Sequence, residues 1–271
     1  MFTAKKEEPP PRAIGLITDF GLSDPYVGQM KAALARKAPK CTLLDVTHGV
    51  EPFNVAQGAF FLAASYPHFS EDAVILAVVD PGVGTERRIV CLTVDQRIIL
   101  GPDNGLLSLV PLTAGNARVR AFDMSTAVTA PKNVAPTFHG RDVFAPIAAW
   151  LALGGAPDGL GREIALTDLA DAPWSRPDVD ADSARCNVLH IDQFGNCVLN
   201  LEAETVPHGA ATAMTSPAKA KLTRAGVYAE LSIGSPGLLD GSQGFMEIAV
   251  NQGSAAVDFG LSMGDSVELT W

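Results

Sequence analysis

Clustered cysteines are missing from this chain. Its four, Cys41, Cys91, Cys186 and Cys197, form no CxxC pair and sit among apolar neighbours. That pattern argues against a disulfide framework or a thiolate zinc site and predicts buried free thiols. Long hydrophobic runs are missing too: residues 144–153 stop at Gly154-Gly155, short of the roughly 18 apolar residues of a membrane span. The first dozen residues have no apolar segment behind their charges, so no secretory signal is expected. Residues 1–12 read as a disordered tail and the protein as cytoplasmic. Basic charge is scarce, with 20 Lys and Arg against 30 Asp and Glu for a net charge of −10. No long Lys/Arg stripe is present, which argues against nucleic acid and anionic membranes as partners. Cofactor signatures are absent as well. Neither GxGxxG nor a Walker A loop follows the first strand, and His48, His68, His139, His190 and His208 have no HExxH or paired spacing, so neither a nicotinamide cofactor nor a metal site is expected. His68, His190 and His208 read as ordinary surface or loop residues.

What is present is apolar residues, 47% of the chain against 18% charged. This describes a globular enzyme or an oligomer with buried subunit surface. The length of 271 residues suits two modest domains. Residues 14–18 read as a buried strand ending at Asp19, and residues 26–38 as the helix that follows. Further strands are expected at 42–46 and 73–79, a helix at 55–66, a hairpin from 89–94 and 98–100, and a helix at 138–153. This alternation predicts a layered α/β domain with a mostly parallel sheet over residues 13–168. Residues 169–185, rich in Asp, Pro and Ala, read as a linker. From 186 to 271 the pattern changes to short β-like runs broken by Gly, at 188–191, 197–201, 226–233, 245–250 and 266–271, predicting a smaller all-β, barrel-like domain.

Open α/β sheets hold ligands at the carboxyl ends of their strands. Asp80, directly after the 73–79 strand and followed by Pro81, Gly82, Gly84 and Arg87, is therefore placed where chemistry is done. With His139 in Thr137-Phe138-His139-Gly140-Arg141-Asp142, it makes a set able to hold and polarise a water. The bland reading is a structural Asp80–Arg87 ion pair with His139 as a helix cap. Asp19 ends the first strand, where an acid can accept both hydroxyls of a ribose. Asp24, before Pro25, is either a ligand or a helix N-cap with Pro25 at N1. Residues 101–105 (Gly-Pro-Asp-Asn-Gly) read as a turn. In Asp192-Gln193-Phe194-Gly195-Asn196 a carboxylate, a ring and an amide sit between two β-runs. The set suits a nucleoside, by stacking and by an amide on a base edge, and equally fits a hairpin turn.

Taken together, Thr18-Asp19-Phe20-Gly21, Asp24-Pro25-Tyr26-Val27-Gly28, Val79-Asp80-Pro81-Gly82-Val83-Gly84 with Arg87-Arg88, residues 101–105, Phe138-His139-Gly140-Arg141-Asp142, residues 192–196 and Met246-Glu247-Ile248-Ala249-Val250-Asn251 resemble the S-adenosylmethionine hydroxide adenosyltransferase family. Its relatives include the adenosyl-fluoride and adenosyl-chloride synthases. The resemblance implies hydrolysis of S-adenosylmethionine to adenosine and L-methionine, without a metal or redox cofactor. It also implies a homotrimer with active sites at subunit interfaces. It carries catalytic roles onto Asp80, Arg87 and His139, the ribose diol onto Asp19, and the adenine and sugar faces onto Phe53 and Phe194. The adenine edge falls to Asn196 and the methionine end to Asp24, Asp192 and Ser242. Whether Asp80 or His139 takes the proton from water stays open. Halogenating relatives carry Tyr where this chain has Asp80, and Arg where it has Gln243. Two alternatives to the hydrolase follow: an S-adenosylmethionine-dependent halogenase, and a sensor that binds S-adenosylmethionine or a nucleoside with incidental turnover.

Overall fold

The structure is a computed structural model that describes residues 12–127, 134–207 and 212–271. The expected tail falls outside the described residues except for Arg12, and so does His208. Arg12 is held in place, its amide donating to Ala152 O at 3.0 Å. The chain divides into two compact units, the first ending at Asp171 and the second spanning Ala172–Trp271.

In chain order the first unit contains β1 (Ile14–Thr18), α1 (Tyr26–Lys37), β2 (Leu43–Thr47), α2 (Val55–Ser65), β3 (Val74–Val78), β4 (Ile89–Val94), β5 (Arg97–Pro102), α3 (Leu109–Thr113), β6 (Val119–Asp123), α4 (Ala145–Ala152) and β7 (Arg162–Ile164). Among the described residues they build a seven-stranded sheet in the order β2-β1-β3-β5-β4-β6-β7. Every residue of β1 and β3 is buried, as unbroken apolar runs must be when helices cover both sheet faces. α1 turns Val27, Met30, Ala33 and Leu34 inward, the one-sided spacing of an amphipathic helix. The layered α/β class holds, but the sheet is mixed. β2, β1, β3 and β5 run parallel, while the β4–β5 hairpin reverses direction and leaves β4, β6 and β7 in antiparallel pairs.

The second unit contains β8 (Asp178–Val179), β9 (Ser183–Ile191), β10 (Cys197–Glu202), β11 (Thr212–Ser216), β12 (Ala220–Ala225), β13 (Pro236–Asp240), β14 (Phe245–Val250), α5 (Ala255–Phe259) and β15 (Ser266–Thr270). The strands follow one another as β10-β14-β13-β12-β11-β15-β9-β8, and a further β9–β10 pairing closes the ring. The result is a barrel with β8 appended outside on β9, and closure removes the exposed edges of an open sheet. Two expectations change here. Residues 169–185, read as a linker, contribute a 3₁₀ turn at Pro173–Ser175, β8 and the first residues of β9; the Trp174 carbonyl accepts from Asn200 Nδ2 at 2.9 Å. Residues 226–233 are not a strand: they hold a 3₁₀ turn at Tyr228–Glu230, because the Gly226 amide donates to Glu230 Oε2 at 2.8 Å and folds the segment on itself.

All four cysteines are free. Burial pushes the Cys186 and Cys197 thiols up to about 12 and Cys91 higher still, so none of these three supplies a thiolate. No described helix is long and apolar enough to cross a membrane.

Candidate active site

The chain passes from β1 to β2 on one side and returns to β3 on the other, so β1 lies between them. Loops diverge at such a switch point and leave a crevice at the carboxyl ends of the strands. In the parallel register Thr18 stands beside Val78. Asp19, one residue past β1, and Asp80, two past β3, therefore emerge side by side. With Phe53 and His139 they line one cleft of about 240 Å³, whose walls are Phe20, Tyr26, Pro52, Val83 and Phe138. Three of these rings support one another edge to face, with centroids 5.7 Å apart for Phe20–Phe138, 5.3 Å for Tyr26–Phe138 and 6.2 Å for Phe20–Tyr26. A larger groove of about 780 Å³ along α1 is lined by Arg36, Lys37 and Arg141 and contains none of the Asp80, Arg87 and His139 set.

Arg87 organises the chemistry. Its Nε donates to Asp80 Oδ1 at 2.6 Å, its Nη2 donates to Asp80 Oδ2, and the same Nη2 reaches His139 Nδ1 at 3.1 Å. The side chains of Arg87 and Asp80 are only 8% and 5% exposed. A guanidinium only donates, so Nδ1 of His139 is the acceptor and the ring proton sits on Nε2. Burial, then the neighbouring Arg87 charge, hold His139 below its ordinary value of 6.5 against the opposing pull of Asp80 and Asp142, so the ring is neutral at pH 7. Its backbone stands at the N-cap of a π-turn, Gly140–Phe144, but its side chain makes no cap hydrogen bond. The capping alternative therefore fails, and the Asp80–Arg87 pair extends to a third group. The π-turn also sets Phe144 beneath the guanidinium, 5.4 Å from ring centroid to Cζ.

The Asp80 turn is held from two sides. Asn104 Nδ2 donates to Val79 O at 2.9 Å, and Asp103 Oδ2 accepts from Arg88 Nε at 2.7 Å, so the Gly-Pro-Asp-Asn-Gly turn buttresses the site. Gly84 has φ +81°, and a Cβ there would lie 2.6 Å from Pro136 O, which requires glycine where the turn meets the segment leading to His139. Asp19 Oδ2 accepts from the Phe53 amide at 3.0 Å, and Phe53, at φ 67°, leaves its ring exposed. Burial raises the Asp19 carboxyl above its ordinary value of 3.8, with a smaller contribution from Asp80. Asp24 does not line the cleft. Nor is it the N-cap: Pro25 occupies that position, without a side-chain cap bond.

In the second unit Asp192 closes its own turn. Its Oδ1 accepts from the Phe194 and Asn196 amides, each at 2.9 Å, and its Oδ2 from Asn196 Nδ2 at 2.9 Å. Asn196 Nδ2 also donates to Tyr228 Oη at 3.1 Å, and Tyr228 donates to Glu247 Oε1. Both amide hydrogens of the buried Asn196 are thereby engaged. Phe194 stands out at 68% exposure. Ser242 lies in the β13–β14 turn and accepts from Gln243 Nε2 at 3.2 Å. The adjoining Gly241 must lack a side chain, since a Cβ would sit 2.6 Å from the Phe245 backbone carbonyl. Burial foremost, and then the nearby Asp192 charge, raise Glu247 despite its bond from Tyr228. Sequence reasoning assigned no role to Phe20, Tyr26, Phe138, Tyr228 or Glu247. Their grouping is non-local, and Tyr228 fell in the segment misread as a strand.

A crevice at a switch point, walled by rings and floored by a clamped carboxylate, is built for converting a small organic molecule: this is an enzyme of the α/β class with an added β-barrel. Family models for the SAM hydroxide adenosyltransferase N-terminal and C-terminal domains match residues 14–161 and 186–268, and the chain belongs to that family. A Thermus thermophilus protein named (R)-S-adenosyl-L-methionine hydrolase is 38% identical over 265 residues, covering 95% of this chain and 99% of its own. A fluorinase of Nocardia brasiliensis is 27% identical over 94% of this chain and 96% of its own. The crystal structure of an uncharacterized conserved protein from Thermotoga maritima matches with a TM-score of 0.83 at 31% identity, covering 95% of this chain and all of that one.

Proposed function

We propose that this protein hydrolyses S-adenosyl-L-methionine to adenosine and L-methionine. The observation that carries this reading is the Asp80 carboxylate clamped by Arg87 beside His139. Water oxygen bonds to ribose C5′ while the C5′–S bond breaks, and sulfur leaves with the electron pair as a neutral thioether. The leaving group needs no acid and no metal, so the work falls on holding the water in line. With Nδ1 occupied by Arg87, His139 has an Nε2–H to offer the water oxygen. Asp80 is then the group that accepts the proton and releases it to solvent. Asp19 Oδ1 takes the ribose diol, and Phe53 and Phe194 pack on the sugar and adenine. Asn196 Oδ1 accepts from the exocyclic amine, and Asp24, Asp192 and Ser242 serve the methionine end. A volume of about 240 Å³ falls below the roughly 300–1,000 Å³ of small-molecule pockets. The remainder is supplied by the barrel residues, in a homotrimer with sites at subunit interfaces, acting in the cytoplasm without a cofactor.

The test is incubation of purified protein with S-adenosylmethionine, with and without chloride, resolving products by chromatography beside Asp80→Ala. Adenosine with equimolar methionine, lost in the variant, is the expected result. A chloride-dependent halonucleoside would identify a halogenase, a reading that the Asp80 carboxylate disfavours by repelling halide. Binding without product would identify a sensor.

Two further results are expected. Activity falls on acidification with a midpoint below 6.5, because protonating Nδ1 of His139 removes the acceptor for Arg87. A pH–kcat profile checks this, and in His139→Asn, whose Oδ1 accepts without titrating, the acid limb moves or disappears. Asp19→Asn keeps an acceptor for the Phe53 amide but loses charge, so KM rises about 10-fold, the scale of one charge-assisted hydrogen bond. The raised Asp19 carboxyl contributes stability below 3.8 that is lost as pH climbs through its higher folded value. The Asn variant therefore melts no lower than the parent at pH 7, and it loses that pH dependence in thermal melts between pH 4 and 7.

A further inference from the structure

Behind the cleft, outside the Asp80–Arg87–His139 cluster, lies a second chain of polar side chains. Thr18, the last residue of β1, is fully buried, and its Oγ1 lies 2.8 Å from His48 Nδ1. The same Oγ1 accepts from the Phe20 amide at 3.3 Å. His48, with a side chain only 3% exposed, brings Nε2 to 3.1 Å from Asp45 Oδ1. That contact is within hydrogen-bonding distance but lies off the line of a full hydrogen bond. Asp45 Oδ2 accepts from Lys31 Nζ at 2.9 Å.

The directions of these bonds are mutually consistent. An amide only donates, so Thr18 Oγ1 accepts from Phe20, which leaves its own hydrogen available to His48 Nδ1 when the ring proton is on Nε2. The ring proton then sits on Nε2, facing the carboxylate, the tautomer that an acid partner selects. The arrangement has the Thr-His-Asp order of a nucleophilic triad, but a fully buried Thr18 has no access to substrate. What the chain touches instead is the β1–α1 loop. Thr18 stands at its start, Lys31 lies on the helix at its end, and Asp19, Phe20 and Tyr26 between them face the cleft. Backbone bonds reinforce the brace, with the Gly21 amide donating to His48 O at 2.8 Å.

We propose that His48 is a positioning residue for substrate binding: through Thr18 on one side and the Asp45–Lys31 pair on the other, it braces both ends of the loop that presents Asp19 and Phe20. The inference rests on the hydrolase reading for its substrate. Because His48 touches neither substrate nor Asp80, its loss moves affinity and not the chemical step.

The experiment compares His48→Leu, His48→Asn and Thr18→Val with the parent enzyme, each checked for folding by thermal melt. His48→Leu and Thr18→Val are expected to raise KM for S-adenosylmethionine, and Kd for adenosine by calorimetry, about 10-fold, with kcat within about 3-fold. His48→Asn, whose Oδ1 still accepts from Thr18, restores most of the affinity. The Thr18→Val/His48→Leu double variant is no worse than either single, as for two members of one path. Hydrogen–deuterium exchange over residues 19–26 quickens in His48→Leu and is slowed again in His48→Asn. Unchanged KM and exchange in a folded His48→Leu would overturn the proposal, as would additive effects in the double variant or a fall confined to kcat. A parent enzyme that makes no adenosine would sink the hydrolase reading instead, and the exchange comparison would still decide the brace.

Discussion

Replacing Asp80 with Asn is expected to lower kcat for adenosine formation by about 10²–10⁴-fold, the range of a lost general base. KM should stay within roughly threefold, since the ribose and adenine contacts are elsewhere and only the transition state loses an interaction. The substitution keeps the shape of the side chain. It removes the acceptor for the water proton and turns an amide NH₂ toward a guanidinium that also only donates. Steady-state rates of adenosine release, with melting curves to exclude unfolding, measure this. A variant within tenfold of the parent would dismiss Asp80 as the base. Removing the Asp80 charge also relieves Asp19, whose raised carboxyl owes part of its shift to that neighbour.

Arg87→Ala should have the largest effect on stability. With Arg87 8% exposed and Asp80 5% exposed, the truncation leaves a buried carboxylate without its counter-charge, a loss of about 3–5 kcal/mol in comparable buried pairs. It also strips the guanidinium from the Phe144 ring. For a chain of this size the melting temperature should fall on the order of 10 °C. Activity should vanish, because Asp80 and His139 lose the group that orients both. Arg87→Lys should recover part of the stability and little of the rate, since a single ammonium does not match the planar fork spanning Asp80 and His139. The Asp80→Ala/Arg87→Ala pair should be more stable than Arg87→Ala alone while remaining inactive, because no orphaned charge is left. Calorimetric or spectroscopic melts of the three variants beside the parent decide it. A fully stable Arg87→Ala would refute the buried-pair account.

Legibility in the sequence depended on whether the determining interaction was local. β1 and β3 were readable because strands covered on both faces are continuous apolar runs. β11, β12 and β13 were not. β11 and β12 are short and only partly buried, with Ala, Lys and Ser among their residues, and β13 reads Pro-Gly-Leu-Leu-Asp; none is a continuous apolar run, and it is closure of the barrel that places them. Residues 226–233 carry β-favouring Val, Tyr and Ile, yet one side-chain bond, Gly226 N to Glu230, turns them. The Asp192–Asn196 turn was legible because Asn196 stands beside Gly195 and an Asp side chain bonds the backbone two residues on, as Asp192 does with the Phe194 amide. Its link to Tyr228 and Glu247 joins three separate segments and leaves no local trace.

The sequence by itself determined the two-domain α/β and all-β plan, the absence of long apolar spans, the positions of Asp19 and Asp80 at strand ends, and the family to which those motifs belong. These follow from periodicity, composition and short-range turn chemistry, all properties of neighbouring residues. The tertiary structure alone decided the mixed direction of the first sheet, the convergence of Arg87 on both Asp80 and His139, the ring proton on Nε2, and the brace from Thr18 through His48 to Lys31. Each of these depends on a contact between residues far apart in the chain, and only packing brings such residues to within hydrogen-bonding distance.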